Sequence, residues 1–326
     1  MRGIEITPED PVPRLVELGV AAEDAGVDAA FVSSHYNNRD PFVALARIAA
    51  ATDRVTLGPG VANPYETHPV SLAARVATLA DLTDGRAVFG IGAGDRSTLA
   101  NLGIDRTRPL ARVHETVTVS RRLFAGERVT HDGTFEARDA GLNFPVDPVP
   151  IWVGGQGPGM LRMAAACADG VLINGAHPAD LAVAADRVSE GLSDRPDDLG
   201  AFETAAFVST SVAADAAAAR EAARPPVAFI VGGAPEAVLD RHGIDQEVAA
   251  TIGERLGAGD YAAAFEAVTG TMLEAFAVAG TPATVAERYA AIDEHVDGIV
   301  AASPLGPDRL AAVAHVADAM DRAGLD

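Results

Sequence analysis

The chain repeats one pattern along most of its 326 residues, in which a short apolar segment precedes a longer segment of helical periodicity. The short segments are continuously apolar and do not alternate with polar residues, which indicates parallel strands that are buried on both faces. Several of the helical segments end on glycine, a common stop signal. We predict eight such strands, over residues 3–6, 29–33, 55–60, 87–91, 150–153, 170–173, 205–209 and 298–302.

Eight strand–helix units are the number that closes a (β/α)8 TIM barrel, and a chain of this length suits such a barrel as one domain. We therefore predict a single α/β domain over residues 1–326, with a doubly wound open sheet as the alternative. Two segments do not fit the repeat. Residues 127–148 carry an HDG turn between β-branched residues and are predicted as an inserted hairpin, and the Ala-rich residues 215–280 as extra helices before the last strand.

The charge of the chain excludes several classes of function. The net charge is −21, from 46 acidic and 25 basic residues, and every basic residue is arginine. Such a surface repels nucleic acid and anionic membranes, so neither is expected as a partner. Without lysine, Schiff-base catalysis and a Walker-type phosphate lysine are excluded. The acidic excess favours adaptation to concentrated salt, whereas a GC-rich gene would explain the arginine preference alone.

Location and metal content are also constrained. No apolar run reaches the roughly 20 residues that a membrane helix needs, and the first residues carry carboxylates where a signal peptide is apolar. We therefore expect a cytoplasmic protein. The single cysteine cannot form an internal disulfide, and the eight histidines do not show metal-ligand spacing. No metal is predicted.

Glycine and polar residues concentrate after the predicted strands, where the active site of a barrel lies. Glu5 lies inside the first strand between two isoleucines. Its carboxylate either forms a structural ion pair with an arginine or acts as a general acid, since burial favours the neutral form of a carboxyl group. His35, in the polar run SSHYNN, is either a ligand contact or part of a helix cap.

Two glycine-rich segments suggest a bound organic cofactor. GIGAGD (90–95) resembles half of a dinucleotide fingerprint but lacks its full spacing. GGQGPG (154–159) precedes a helix, so it is either an anion site at a helix N-terminus or a flexible loop. No G-x-S-x-G nucleophile motif is present. Glycines, amides, one histidine and one glutamate favour redox chemistry carried out by a cofactor.

At this point a resemblance covers nearly the whole chain. It resembles the coenzyme F-420-dependent methylenetetrahydromethanopterin reductase family, within the bacterial-luciferase-like superfamily. The matching motifs occur in family order: GIEI (3–6), HYNN (35–38), LGPGVANPY (57–65), LTDGRAVFGIGAGD (82–95), GGQGPGMLRMA (154–164), DGVLINGAHP (169–178), PVAFIVGG (226–233), DRHGI (240–244), MLEAFAVAGTP (272–282) and ASPLGP (302–307).

The resemblance implies a TIM barrel that binds the deazaflavin F-420 and transfers hydride to the methylene group of a tetrahydropterin. Glu5 matches the first-strand glutamate of the family, which implies the role of the acid that protonates the opening methylene bridge. Asp95 matches a family aspartate that faces the substrate. The family forms homo-oligomers, so a homodimer or homotetramer is expected.

The resemblance also implies a bulge in the third strand with a non-prolyl cis peptide at Gly60–Val61, against the deazaflavin ring. The implied cofactor contacts are His35, Gly60, Val61, Asn63, Gly92, Gly94, Gly155, Gln156, Gly157 and Asn174. Ser34 departs from the family, which often has aspartate there, so the polarity of that contact is open.

The alternatives stay within or beside this family. The pterin carrier is methanopterin or folate, since the sequence does not reveal the tail of the substrate. Another F-420- or flavin-dependent oxidoreductase of the superfamily is a wider alternative. A phosphate-binding barrel isomerase or lyase would retain GGQGPG but would need an acid–base pair, and a catalytically silent barrel would bind the cofactor without turnover.

Overall fold

A computed structural model describes residues 1–325 of the chain. They fall into two compact units. The first comprises residues 3–174 and 184–205, and the second comprises residues 1–2, 175–183 and the chain from 206 onward. The division passes through one helix and two strands, so it does not separate two sequential segments of the chain.

The first unit contains most of the predicted strand–helix repeat. Its strands are β1 (Arg2–Ile6), β2 (Ala29–Val32), β3 (Thr56–Pro59), β4 (Phe89–Gly92), β5 (Val129–Asp132), β6 (Glu136–Ala140), β7 (Ile151–Gly155) and β8 (Gly170–Asn174). Its helices are α1 (Val12–Asp24), α2 (Pro41–Ala49), α3 (Pro69–Leu82), α4 (Arg96–Asn101), α5 (Pro109–Phe124), α6 (Pro158–Cys167) and α7 (Pro178–Leu192), the last of which begins in the second unit.

The strands of the first unit lie side by side in chain order. β1 pairs with β2, β2 with β3, β4 with β7 and β7 with β8, in each case parallel. Isolated parallel bridges at Leu57–Ala87 and Ala62–Ile91 join the third strand to the fourth. A doubly wound sheet would reverse its strand order, so this sequential order favours the barrel and confirms the parallel α/β class.

The second unit consists mainly of helices. Its strands are β9 (Glu203–Val212), β10 (Val278–Gly280) and β11 (Gly298–Leu305), of which β9 begins in the first unit. Its helices are α8 (Ala216–Ala222), α9 (Arg224–Gly233), α10 (Glu236–Arg241), α11 (Gln246–Gly257), α12 (Tyr261–Glu266), α13 (Gly270–Phe276), α14 (Pro282–Asp293) and α15 (Arg309–Ala323).

Both predicted insertions are present. β5 and β6 form an antiparallel hairpin within residues 127–148, and helices α8 to α13 occupy residues 215–280. Those helices bury their own apolar core, which includes Val227, Ile252 and Met272. The short strand β10, which pairs with β9, was not predicted because three residues carry no periodicity signal. That residues 1–326 form one domain stays a prediction.

Arg112 ties the hairpin to the loop that follows β3. From α5, its guanidinium donates two hydrogen bonds to the carbonyl oxygen of Pro64, at 2.9 and 2.7 Å, and another to the carbonyl oxygen of Thr134. It also lies over the ring of Tyr65, 4.7 Å from the ring centre. One cation therefore satisfies two carbonyl groups on separate segments, and its charge strengthens each bond.

Glu115, one turn further along α5, holds the same hairpin. Its Oε2 accepts hydrogen bonds from the Thr134 amide at 2.7 Å and hydroxyl at 2.6 Å, and lies 3.0 Å from His131 Nε2. Burial opposes the charge on Glu115, but the bonds from Thr134 and His131 outweigh burial and lower its pKa. The carboxylate therefore remains charged at neutral pH and fixes the hairpin turn.

Replacing Arg112 with alanine should lower the free energy of unfolding by about 2–4 kcal/mol, because two carbonyl groups lose charged donors. The measurement is urea unfolding followed by circular dichroism. Arg122→Ala, on the same helix, is the matched control because Arg122 pairs with Glu127 at an exposed position. It should change stability by less than about 0.5 kcal/mol. Equal effects of the two variants would contradict the tying role of Arg112.

Candidate active site

The carboxyl ends of the parallel strands in the first unit gather the predicted site residues. Because these strands run in one direction, their carboxyl ends meet at the same edge of the sheet. The residues at or after these ends include His35, Gly60, Gly92, Gly155 and Asn174. The predicted cofactor contacts therefore fall on one edge, while the roles assigned to them stay predictions.

Glu5 is buried within β1. Only 2% of the Glu5 surface is exposed to solvent. In the pairing of β1 with β2, Glu5 lies opposite Phe31. The Thr7 hydroxyl donates a hydrogen bond of 2.8 Å to Glu5 Oε1. Residues two apart on a strand share a face, so Glu5 and Thr7 present their polar groups together, towards the carboxyl end of β1. A hydroxyl bonded to the carboxyl group fixes the orientation of that group.

The third strand carries the expected bulge and cis peptide. Between the bridges at Leu57–Ala87 and Ala62–Ile91, the third strand advances by one residue more than the fourth. The extra residue defines a β-bulge. The peptide bond between Gly60 and Val61 is cis, as the resemblance implied. The backbone hydrogen bonds resume at Ala62, whose amide donates to the Gly90 carbonyl at 2.9 Å.

Glycines surround this bulge because side chains would not fit. A Cβ at Gly60 would lie 2.6 Å from Phe31 Cβ. A Cβ at Gly92 would lie 2.6 Å from Val61 Cγ2, and one at Gly154 would lie 3.0 Å from Val61 Cγ1. The Val61 side chain thus occupies the space that these two glycines leave. Gly92 was predicted as a cofactor contact, and the structure gives it this packing role within the protein.

Asn63 and Gly94 are engaged in their own loops. Asn63 Oδ1 accepts from the Tyr65 and Glu66 amides, and its Nδ2 donates to Glu66 Oε1 at 2.8 Å. Gly94 has a φ of 72°, which favours glycine, and its carbonyl accepts a hydrogen bond of 2.8 Å from Arg106. The Asn63 side chain therefore shapes the loop after the bulge, and its contact with a cofactor stays a prediction.

Asp95 caps a helix. Its Oδ1 accepts hydrogen bonds from the Thr98 amide, at 2.8 Å, and from the Ser97 hydroxyl, at the start of α4. Burial opposes the charge on Asp95, but these hydrogen bonds lower the pKa of its carboxyl group. An N-cap explains why aspartate suits this position without any ligand. Its catalytic role stays a prediction.

His35 lines a cleft between the loops that follow β2 and β3. The cleft has a volume of about 160 Å³. Arg75 lies at its border, with its guanidinium 5.5 Å from the centre of the Phe42 ring. Its lining residues are Ser34, His35, Tyr36, Asn38, Asp40, Pro41, Phe42, Ala62, Asn63, Glu66, Thr67, Leu72 and Arg75. The structure therefore places His35 and Asn63 on the same cleft, and their contact with a cofactor stays a prediction.

The segment GGQGPG leads from β7 into α6. Gln156 and Gly157 are exposed, and a Cβ at Gly157 would meet nothing within 4 Å. Gly157 is the N-cap of α6 and no side chain caps this helix end. In contrast, a Cβ at Gly155 would lie 2.8 Å from Met160. The helix end is thus open to a ligand at Gly157, and Asn174, at the end of β8, is exposed as well.

Three groups near these residues were not predicted. Thr7 bonds Glu5, the Arg106 guanidinium bonds the Gly94 carbonyl, and the Ser33 hydroxyl is buried at the end of β2. The GIEIT and SSHYNN segments contain Thr7 and Ser33, so alternation along the strands could have assigned both to the face of Glu5. Arg106 follows a short helix and has no such periodicity signal.

Two absences hold for the part of the chain that the structure describes. No group of three or more histidine, cysteine or acidic side chains there could hold a metal ion. None of the helices in residues 1–325 is long and apolar enough to cross a membrane. That the protein works without a metal stays a prediction.

Comparisons with known proteins place the chain in a family. The luciferase-like monooxygenase family model matches residues 2–299. A 5,10-methylenetetrahydromethanopterin reductase of Archaeoglobus fulgidus is 41% identical over 313 residues, which cover 94% of each chain. The enzyme of the same name from Methanolobus tindarius is 39% identical over 314 residues, which cover 95% of this chain and 96% of that one.

A solved structure matches the fold as well. The coenzyme F-420-dependent tetrahydromethanopterin reductase of Methanopyrus kandleri superposes with a TM-score of 0.90 at 35% identity, over 97% of this chain and 96% of that one. This match confirms the luciferase-like (β/α)8 barrel. The chain belongs to the luciferase-like monooxygenase family, in the branch that contains these 5,10-methylenetetrahydromethanopterin reductases.

Proposed function

We propose that the chain is a 5,10-methylenetetrahydromethanopterin reductase that transfers hydride reversibly between F-420 and the one-carbon unit of a tetrahydropterin. The observation that carries this proposal is the 41% identity to a reductase of that name over 94% of both chains. The buried Glu5, towards the carboxyl end of β1, supports the proposal because the reaction needs a positioned acid. The enzyme class is an F-420-dependent oxidoreductase acting on CH–NH groups.

The residues of the chain fit a flat, anionic cofactor. Val61 lies at the strand-three bulge, half-buried, and its side chain is backed by Gly92 and Gly154. It offers an apolar wall to a planar ring. The backbone at Gln156 and Gly157, before α6, is exposed and would bind the phosphate of the cofactor tail through amide groups and the helix dipole. When bound, reduced F-420 supplies the hydride.

Glu5 would hold and deliver the proton that the reaction needs. The methylene carbon accepts hydride only after its bond to the aryl nitrogen opens, which leaves a cationic iminium carbon and requires a proton on that nitrogen. Glu5 is the acid that β1 presents on this side of the sheet, and Thr7 orients its carboxyl group. In the reverse direction the same carboxylate accepts the proton back.

The first two candidate functions differ in the pterin that carries the methylene group, which is methanopterin in one and folate in the other. Methanopterin and folate share the methylene chemistry and differ in the tail, and the names of the relatives favour methanopterin. Methylenetetrahydrofolate reduction is therefore the second candidate. Another F-420- or flavin-dependent oxidation is a third candidate. A phosphate-binding isomerase or lyase would retain the glycine-rich segment before α6 but would need an acid–base pair.

Anaerobic mixing tests the proposed reaction directly. Protein, reduced F-420 and methylene-tetrahydromethanopterin should give reoxidised deazaflavin, followed by its absorbance, and one methyl-tetrahydromethanopterin for each F-420 oxidised. Methylene-tetrahydrofolate is the parallel substrate. Turnover with folate alone would transfer the assignment to the second candidate, and no reoxidation with either pterin would refute the proposal.

Replacing Glu5 with glutamine should leave F-420 binding near the wild-type value and lower turnover by about 10²–10⁴-fold, because an amide cannot supply the proton. Glutamine retains an oxygen that can accept the Thr7 hydrogen bond. Single-turnover absorbance and a deazaflavin titration separate the two quantities. Glu9→Gln is the control, since Glu9 is exposed four residues away. Near-normal turnover of the Glu5 variant would assign Glu5 a structural role.

We also propose a cytoplasmic homodimer or homotetramer. A cofactor that works in its reduced form and a substrate of one-carbon metabolism both favour the cytoplasm. The assembly follows from the resemblance, and sedimentation of the purified protein would measure it. A monomer under assay conditions would refute the proposed oligomer.

Salt adaptation is proposed on the charge of the chain. The chain has 46 acidic and 25 basic residues, so its carboxylates repel one another in dilute buffer. The distance over which two surface charges repel each other falls from about 10 Å in 0.1 M salt to about 3 Å in 1 M salt. Because this repulsion destabilises the folded chain, the thermal unfolding temperature should rise across that range of salt. Sucrose of equal osmolality is the control, because it does not screen charge. An unfolding temperature independent of salt would contradict the adaptation.

A further inference from the structure

The hydroxyl of Ser33 is buried without a partner at the end of β2. The residue is 7% exposed, and its Oγ forms no hydrogen bond with any of the residues that the structure describes. The four residues of β2 before it, AAFV, are all buried and apolar. A buried hydroxyl without a partner carries the full penalty of its desolvation, which alanine at the same position would not incur. The serine therefore needs a reason beyond packing.

The strand register puts Ser33 on the same face of the sheet as Glu5, two residues beyond the partner of Glu5. In the parallel pairing of β1 with β2, Glu5 lies opposite Phe31 and Ile6 opposite Val32. The pairing ends there, and if the same register is continued by one residue, Thr7 falls opposite Ser33. Paired residues of parallel strands point to the same face, and the Thr7 hydroxyl already contacts the Glu5 carboxylate at 2.8 Å. Ser33 thus adds its hydroxyl to the same face, at the carboxyl end of the strands.

Three buried threonine hydroxyl groups of the first unit are satisfied within the protein. Thr52, Thr83 and Thr116 each donate to a backbone carbonyl four residues earlier, at 2.9, 2.7 and 2.7 Å. Ser120 also has an unpartnered buried hydroxyl, but it lies within α5, far along the chain from any strand end. Ser33 combines an unpartnered hydroxyl with a position at the carboxyl end of a parallel strand, and that strand pairs with the one that carries the proposed acid.

We propose that the Ser33 hydroxyl binds a ring lactam of the bound ligand, donating to its carbonyl oxygen or accepting from its N–H. A hydroxyl can do either, which matches the adjacent carbonyl and N–H groups of such a ring. Both the deazaflavin and the pterin carry this group, so the chemistry is shared between cofactor and substrate. The inference rests on the proposed function in taking these two molecules as the ligands.

Ser33→Ala tests the proposal with two separate ligand measurements. Titration with F-420, followed by deazaflavin fluorescence and without any pterin, measures the cofactor arm. The KM for methylene-tetrahydromethanopterin at saturating reduced F-420 measures the substrate arm. Loss of one neutral hydrogen bond should weaken one of these by about threefold to tenfold. A loss in the titration assigns the hydroxyl to the cofactor, and a loss confined to KM assigns it to the pterin.

The stability of ligand-free Ser33→Ala distinguishes a ligand contact from a structural role of the Ser33 hydroxyl. The unfolding midpoint of ligand-free Ser33→Ala should equal or exceed that of the wild type, since the change removes a buried group without a partner. A lower midpoint would show that a protein group satisfies the hydroxyl and would overturn the proposal. Unchanged F-420 affinity together with unchanged KM would overturn it as well.

Ser120→Ala is the matched control. It removes the other unpartnered buried hydroxyl of the first unit, so its unfolding midpoint should also equal or exceed that of the wild type. Its F-420 affinity and KM should match those of the wild type. The fluorescence titration requires no turnover, so a failure of the wild-type enzyme to reduce either pterin would refute the proposed reaction and leave the test of Ser33 in place.

Discussion

The close approach of the third and fourth strands constrains the rest of the site. A Cβ at Gly58 would lie 2.1 Å from the carbonyl oxygen of Val88, and one at Gly90 would lie 2.0 Å from the carbonyl oxygen of Pro59. No side chain can occupy that space, so glycine at both positions is a condition for these strands to lie side by side. The bulge follows Gly58 along the third strand, and the Val61 side chain occupies the space beside Gly92 and Gly154. Backbone contacts between the two strands thus determine where the Val61 side chain lies.

Much of the fold could be predicted because it depends on repeated local signals. Continuous apolar runs predicted all eight strands of the barrel, with ends shifted by a few residues, as in β4, which begins at Phe89 and not at Ala87. Proline in the first turn and aspartate caps mark the starts of α2 and other helices. The prediction of a closed barrel rested on the count of eight strand–helix units and on the family resemblance. The short strand β10 could not be predicted, because its pairing with β9 is a tertiary contact.

The site was less predictable than the fold, and for a physical reason. A motif shows which residue types are present but not which of their hydrogen bonds the protein itself uses. Asn63 and Asp95 illustrate this, since both have polar side chains at a predicted site and both are engaged within their own loops. Glu5 was identifiable because a carboxylate in an apolar strand conflicts with burial. Ser33, a polar residue directly after four apolar residues, gave a weaker signal of the same kind, because a hydroxyl is less costly to bury than a carboxylate.

The distinction between engaged and unengaged polar groups gives the site a division of roles. Arg112, Asn63 and Asp95 use their side chains to fix loops, so their contribution is the placement of backbone around the strand ends. Glu5 lies in β1 and accepts a hydrogen bond from Thr7, whereas Ser33, directly after β2, has a hydroxyl without a partner among the described residues. Evolution of substrate preference would then be least disruptive at groups such as Ser33, because exchanging an unengaged hydroxyl alters a ligand contact without removing a bond that holds the fold.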